Sequence, residues 1–301
     1  MSTITKVAIA GAKGNLGETV LNQLLKAGFE VTVLTRKEST HTFPSNVTVK
    51  PVDYTSQDSL VNALQGQEAV VAVLGSAALH FQIPLIEASV KAGVKRFILS
   101  EFGSNTFHPK TAALPGFANK IEIQNAAKKA AAESGLTWTG IVNGPFLDWG
   151  VAVEFLAKAS AKEIEYANGG NQKYSVSNLE TVGKAVVGVL KNLEATKNRP
   201  VYVQDAAITQ KELGAYLKKA VGADGWKETV SSTADALKQG EEELKKPEPN
   251  GFIVFLTSLK SAVFAEGFGG LFTKLDNDLF GIKQLTDAEV EEVVTKSARK
   301  Q

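Results

Sequence analysis

Cysteine is absent from the 301 residues, which excludes disulfides, thiol catalysis and cysteine-based metal sites. Histidine is scarce. His41, His80 and His108 show no His-x-x-x-His or similar spacing, so no metal centre is expected. No Gly-x-Ser-x-Gly elbow accompanies them, and serine hydrolysis is unsupported. An excess of charge of one sign is lacking too. The net charge of +1 gives no reason to expect a nucleic acid or a membrane surface as partner. Long apolar runs are missing: the most apolar late stretch, residues 251–272, is interrupted by Lys260 and Glu266 and lacks the unbroken length to span a bilayer. The first apolar residues already read as a strand and not as a leader, so a cytoplasmic location is the expectation.

What is present is an ordinary globular composition, with 44% apolar and 22% charged residues. The first half repeats a strand-then-helix rhythm. Apolar runs at 7–10, 31–34, 47–52, 69–74, 97–99 and 137–142 alternate with helical spacing at 18–26, 60–64, 82–92 and about 117–133. That alternation predicts an α/β fold, a Rossmann-type doubly wound parallel sheet covered on both faces. After Pro145 the rhythm changes. Short strands are expected at 174–176 and 201–203, helices near 181–193 and 209–221, and mostly helix from Ser231 on, with a polar loop at 245–251. Residues 1–150 are therefore expected to form a dinucleotide-binding domain. Residues 151–301 are expected to form a smaller, mainly helical α/β substrate-binding region, partly integrated with the sheet because elements after Tyr174 can return to it.

Gly11-Ala12-Lys13-Gly14-Asn15-Leu16-Gly17 lies between the first strand and the first helix. A glycine turn there lets backbone N–H groups approach a pyrophosphate with no Cβ in the way, and the helix dipole favours the anion. The second strand ends in Thr35-Arg36-Lys37. A carboxylate at that place would grip the ribose 2′-hydroxyl of NAD. A guanidinium suits a 2′-phosphate, which it binds bidentately, so the expected cofactor is NADP(H).

Further strand ends supply Asp53, the Leu74-Gly75-Ser76 run and residues 100–103. Asp53 is either an acceptor for an adenine amino group or a helix-starting turn residue. Gly75 either lets the backbone lie close to a ribose or is a plain turn glycine. A nicotinamide-dependent reductase also needs a proton donor or acceptor. The Tyr-x-x-x-Lys pattern is absent: none of Tyr54, Tyr166, Tyr174, Tyr202 and Tyr216 has lysine four positions on. Lys120 is the remaining candidate, near the start of the helix after the fifth strand and with the small Ala127 and Ala131 on following turns. It is either a solvated charge or a general acid/base whose pKa is lowered by the helix end and the cofactor. His108 lies in the loop before that helix, lining a substrate mouth or sitting on the surface.

The glycine turn, Thr35-Arg36, the run Ala92-Gly93-Val94-Lys95-Arg96-Phe97-Ile98-Leu99-Ser100-Glu101-Phe102-Gly103, Phe117-Ala118-Asn119-Lys120, and residues 137–146 ending Asn143-Gly144-Pro145-Phe146 together resemble one family. It is the isoflavone reductase-like and NmrA-like branch of the atypical short-chain dehydrogenases/reductases. The likeness covers the first half closely and the second mainly in layout. It implies an NADPH-dependent reductase with Arg36 on the 2′-phosphate and Lys120 as catalytic acid or base. With it, Lys13, Asn15, Leu16, Lys37, Lys120, Asn143, Pro145 and Phe146 join the cofactor site, and Phe102, His108 and Phe146 face a small hydrophobic substrate. The chain departs from the plant pattern at Gln124, where a basic residue stands one turn after the lysine. That departure suggests another small carbonyl or enone in secondary metabolism. The family also includes regulators that bind NADP(H) without turnover and act through a protein partner, which is the alternative. The apolar residues 252–256 with Phe264, Phe268, Leu271 and Phe272 are expected mostly to pack, with two or three reaching a substrate pocket.

Overall fold

Val7, Ala8, Ile9 and Ala10 are wholly buried, and so are Ala69, Val70, Val71 and Ala72 and Phe97, Ile98 and Leu99. Strands covered on both faces need apolar side chains at every position, not at every second one. In the computed structural model, which describes residues 3–299, these runs lie in a seven-stranded sheet. The strands in chain order are β1 Lys6–Ala10, β2 Glu30–Arg36, β3 Thr48–Val52, β4 Ala69–Ala72, β5 Arg96–Gly103, β6 Thr137–Val142, β7 Glu163–Ala167, β8 Lys173–Val176, β9 Arg199–Tyr202, β10 Ala206–Thr209 and β11 Lys227–Ser231. The large sheet has the order β3-β2-β1-β4-β5-β6-β9, and pairing from β3 through to β5 is parallel. Strand order reverses direction between β1 and β4. At such a switch point the loops leaving the two strands diverge and open a crevice for a ligand.

Two sets of chain segments form compact units. The first comprises residues up to 102, 119–141 and 182–201. Its helix Asn15–Lys26 buries Leu16, Val20, Leu21 and Leu24, a helical-period stripe, and leaves the other face to solvent. Gln57–Leu64, Gln82–Lys91 and most of Ala118–Glu133 and Leu179–Lys191 are its other helices. At the start of β5, Arg96 is only 1% exposed. Its guanidinium donates to Thr137 Oγ1 at 2.8 Å, Thr139 Oγ1 at 3.0 Å, Thr196 Oγ1 at 2.8 Å and the Leu193 carbonyl at 2.6 Å. One buried cation thus ties β5, β6 and the segment before β9 together.

The second unit comprises residues 103–118, 142–181 and those from 202 on. It contains two small sheets, β8 with β10 antiparallel and β7 with β11 parallel. Helices Gln210–Val221, Thr233–Leu244, Gly251–Phe264 and Asp287–Ala298 belong to it. Leu147, Val151, Ile164, Tyr174, Val176, Leu213, Leu217 and Val294 share one core there. Leu114, Phe117 and Ala262 form a second, against which Phe255 and Phe268 pack.

The division at 150/151 expected from the sequence is replaced by an interleaved one. β9 joins the large sheet beside β6, and Val182, Ala185, Val186 and Val189 of the preceding helix are fully buried, so the chain crosses back to the first unit. Residues 103–118 and 142–150 go instead with the second. Strands β7, β10 and β11 were not expected from the sequence. The polar stretch 245–250 does separate two helices. No helix among the described residues is long and apolar enough to cross a membrane.

Candidate active site

The three glycines of the first loop meet different constraints. Gly11 has φ +86°, a left-handed backbone that disfavours any side chain, and a Cβ on it would press into the Val73 carbonyl. A Cβ on Gly17 would press into the Gly11 carbonyl, which holds the helix start tightly on the turn. Gly14 is different: a Cβ there would meet only the Gly11 oxygen, at 3.4 Å. Gly14 N–H donates to that oxygen at 3.0 Å, closing the turn. Gly14 also caps the helix Asn15–Lys26 with no side-chain hydrogen bond, so the first-turn N–H groups keep no side-chain partner at the cap. The arrangement is a tight turn, an open backbone face and a close helix–strand contact. Lys13, on the turn, reaches Glu18 at 3.5 Å and lies over the Phe43 ring at 5.3 Å.

Arg36 closes β2 and pairs in register with Val52 of β3, while Thr35 pairs with Pro51. Its side chain is exposed, and no ion pair holds it among the described residues. Asp53 follows β3. Its Oδ1 accepts from Thr55 N at 3.0 Å and Thr55 Oγ1 at 2.6 Å, and Lys37 Nζ stands 3.6 Å from Oδ2. The Thr55 hydrogen bonds, with Lys37 behind them, hold the Asp53 carboxyl below its usual range. Asp53 therefore acts as a turn residue through one oxygen while the other faces Lys37.

Hydrogen bonds link the ends of β4 and β5. Leu74 N–H donates to Ser100 Oγ at 3.0 Å, and that hydroxyl donates back to the Leu74 carbonyl at 2.9 Å. Gln82 Oε1 accepts from Ser100 N–H at 2.8 Å. Gly75 caps the short 3-10 helix Ser76–Phe81, and a Cβ on it would meet nothing within 4 Å. Gly11 packs against this same segment, so the exits of β1, β4 and β5 are fastened in series. The last link is Lys120. Its Nζ donates to the Glu101 carbonyl and lies 3.7 Å from Glu101 Oε2. The side chains are 15% and 2% exposed respectively. Gln124, one turn further along the same helix, donates through Nε2 to Glu101 Oε1 at 3.0 Å. Burial pushes the Lys120 ammonium below the ordinary lysine value, and Glu101 opposes that shift. Phe102, next to Glu101, has φ +25°. A bulky residue in that conformation is strained, and strain of this kind collects at functional sites.

The remaining sequence-predicted residues lie in the second unit. Asn143 is fully buried, and its Nδ2 donates to the Gly144 carbonyl at 2.7 Å while its Oδ1 has no hydrogen-bond partner among the described residues. Pro145 O accepts from Ser177 N–H at 3.1 Å, and the Phe146 ring meets Trp149 edge-on at 6.1 Å. His108, with a buried Nδ1 that lacks a partner among the described residues, borders a cavity of about 500 Å³. Asn105, Tyr202, Val263, Leu271, Phe272 and Lys274 also line it. Tyr202 OH donates to Asn105 Oδ1 at 3.2 Å. Of the apolar set expected near a pocket, Leu271 and Phe272 line this cavity. Phe264 packs on Tyr174 at 4.9 Å, and Phe252 is 66% exposed.

Glu101 falls within the strand-end run 100–103 that the sequence singles out, but its contacts to Lys120 and Gln124 carry no sequence signal. Gln82 left none. Among the described residues no group of His, Asp and Glu could hold a metal ion.

The NmrA-like family model matches residues 3–246. Oxidoreductase aprR of Aspergillus flavus is 32% identical over 295 residues, covering 96% of this chain and 97% of the relative. Oxidoreductase poxI of Penicillium oxalicum is 32% identical over 256 residues, covering 80% and 77%. A solved structure described as AtPrR2 with NADP+ and (+)pinoresinol has a TM-score of 0.75 at 24% identity, covering 99% of this chain and 100% of that one. The solved structure shares the fold of this chain, and the chain belongs to the NmrA-like family, with an isoflavone reductase homolog of Solanum tuberosum among its relatives.

Proposed function

We propose that this protein is an NADPH-dependent reductase of a small hydrophobic substrate carrying a carbonyl or enone, with Lys120 as its general acid/base. The observation that carries the reading is the ammonium of Lys120, buried against Glu101 where β5 ends, beside the strained Phe102. A lysine is rarely buried without a task, and one with a depressed pKa suits proton transfer.

The cofactor fits the residues present. Gly14 offers backbone without a Cβ where a pyrophosphate needs close approach, and the exposed Arg36 offers two parallel donors to a 2′-phosphate. Lys13, Asn15, Leu16, Thr35, Lys37, Asp53, Leu74, Gly75 and Ser76 complete this holding set within the first unit. When bound, NADPH supplies a hydride. Lys120 in its ammonium form donates a proton from Nζ to the substrate oxygen, and the Glu101 carbonyl and carboxylate hold Nζ in place meanwhile. In the reverse direction the neutral amine takes that proton back.

The cavity beside His108 suits one aromatic ring. Phe272 and Tyr202, 5.5 Å apart, offer faces, while Asn105 and His108 offer polar partners to ring substituents. Pinoresinol in the AtPrR2 structure is a ligand of this kind. The fungal relatives named oxidoreductases support the redox reading, and the proposal places it in secondary metabolism in the cytoplasm.

NADPH oxidation measured against a panel of enones, quinones and aldehydes tests the reading. Turnover of at least one class, lost in Lys120→Met while NADPH affinity stays, is the expected result. Tight NADP+ binding with no turnover, and an affinity that changes with a protein partner, would replace the enzyme with a redox sensor.

A further inference from the structure

Gln124 stands where the plant pattern has a basic residue, and the structure shows what an uncharged amide does there. Two contacts to the buried Glu101 carboxylate come from the helix Ala118–Glu133. Gln124 Nε2 donates to Oε1 at 3.0 Å, and Lys120 Nζ stands 3.7 Å from Oε2. Gln124 is itself only 2% exposed, so water does not compete for this contact. Gln124 and Lys120 are four residues apart on the helix Ala118–Glu133, which brings their side chains to one face, both towards β5. The amide thus holds the carboxylate with one oxygen turned to the lysine, and it brings no charge of its own.

We propose that Gln124 is a positioning residue that sets the proton affinity of Lys120 through Glu101; this rests on the reading of Lys120 as the acid/base. Two charges act on such an ammonium. The carboxylate favours the protonated form, and any cation placed beside that carboxylate opposes it. With glutamine, the carboxylate's field on Lys120 goes uncompensated at position 124. A basic residue there would pair with Oε1 and also repel the ammonium directly, lowering its pKa on both counts. The other charges on the elements concerned are remote or solvated. On β5 the second charged residue is Arg96, buried at the opposite end of the strand, and on the helix Glu122, Lys128, Lys129 and Glu133 are exposed. With glutamine at this site the lysine stays charged to higher pH than it would beside a basic residue. It therefore keeps the proton-donating form over a wider pH range, as a weaker acid towards the substrate oxygen.

The test is the titration of Lys120 itself, so it needs no substrate. In the full-length protein labelled with 13Cε-lysine, the Lys120 signal is assigned by its loss in Lys120→Arg and followed with pH by NMR. Gln124→Lys is expected to lower its apparent pKa by about one unit, a tenfold loss of proton affinity. Gln124→Glu, the same shape with a negative charge, is expected to raise it. Should Gln124→Lys fail to fold, Gln124→Glu alone decides the matter by its sign. Shifts of one sign in both variants, or no shift in either, overturn the role of Gln124 and leave it as packing. The underlying reading fails separately: it falls if Lys120→Met oxidises NADPH with menadione as fast as wild type, whatever the titration shows.

Discussion

The glycine loop makes opposite forecasts for two neighbouring substitutions of the same kind. Gly14→Ala adds a Cβ whose nearest neighbour is the Gly11 oxygen at 3.4 Å, an ordinary contact. The backbone at Gly14, φ −71° and ψ 168°, is extended and open to alanine. Alanine is a poorer helix cap than glycine but restricts the unfolded chain, and each effect is worth about 0.5–1 kcal/mol. They oppose one another, so stability should stay within about 1 kcal/mol of wild type. Gly17→Ala instead drives its Cβ into the Gly11 carbonyl, where only a backbone shift relieves the overlap. Overpacking against fixed backbone costs about 3 kcal/mol or more. Urea denaturation separates the two. Calorimetric titration with NADPH then gives the functional half, in which Gly14→Ala should bind about 10–100-fold more weakly, or 1.4–2.8 kcal/mol, because the methyl occupies the face a phosphate needs. The reasoning is refuted if Gly14→Ala binds NADPH like wild type, or if it unfolds as readily as Gly17→Ala.

Arg96→Met should destabilise the protein by about 3–5 kcal/mol in urea unfolding, because three threonine hydroxyls and a carbonyl lose a buried charged donor. The variant should still bind NADPH at low temperature, since Arg96 lies at the end of β5 opposite Glu101. For Lys120, burial lowers the pKa, so the ammonium needed for proton donation is present below that value and lost as pH rises through it. Reductase activity should therefore fall on the alkaline side, at a pH below the ordinary lysine range. A flat profile to pH values beyond that range would remove lysine as donor. Phe102→Gly should relieve the positive φ and stabilise the fold by about 1 kcal/mol while lowering turnover. Higher turnover in that variant would contradict a functional origin for the strain.

How much the chain disclosed depends on what each element buries. The runs at 7–10 and 69–72 are apolar at every position because both faces of the sheet are covered, and this pattern is visible without coordinates. β11 was not legible: Lys227, Glu228, Thr229 and Val230 are all exposed in a two-stranded pair, so no burial pattern marks them. β7 carries alternation, with Ile164 and Tyr166 inward, but over too few residues to stand out from a loop. The interleaving of the two units depends on contacts between distant segments. Val182–Val189 reads as an amphipathic helix wherever it docks, and nothing local says that β9 closes the large sheet. The place of Arg36 at the end of β2 and of the glycines in the turn after β1 was legible because both stand at fixed offsets from a strand. The Glu101–Gln124 contact was not, because the two residues come from a strand and a helix and stand 23 positions apart.

The account depends most on the guanidinium that closes β2, and the direct measurement is a paired titration of the protein with NADPH and NADH. The prediction is that NADPH binds about 10–100-fold more tightly, and that Arg36→Ala removes the difference by weakening NADPH alone. Equal affinity for the two dinucleotides in the unaltered protein, or affinity for neither, would contradict it.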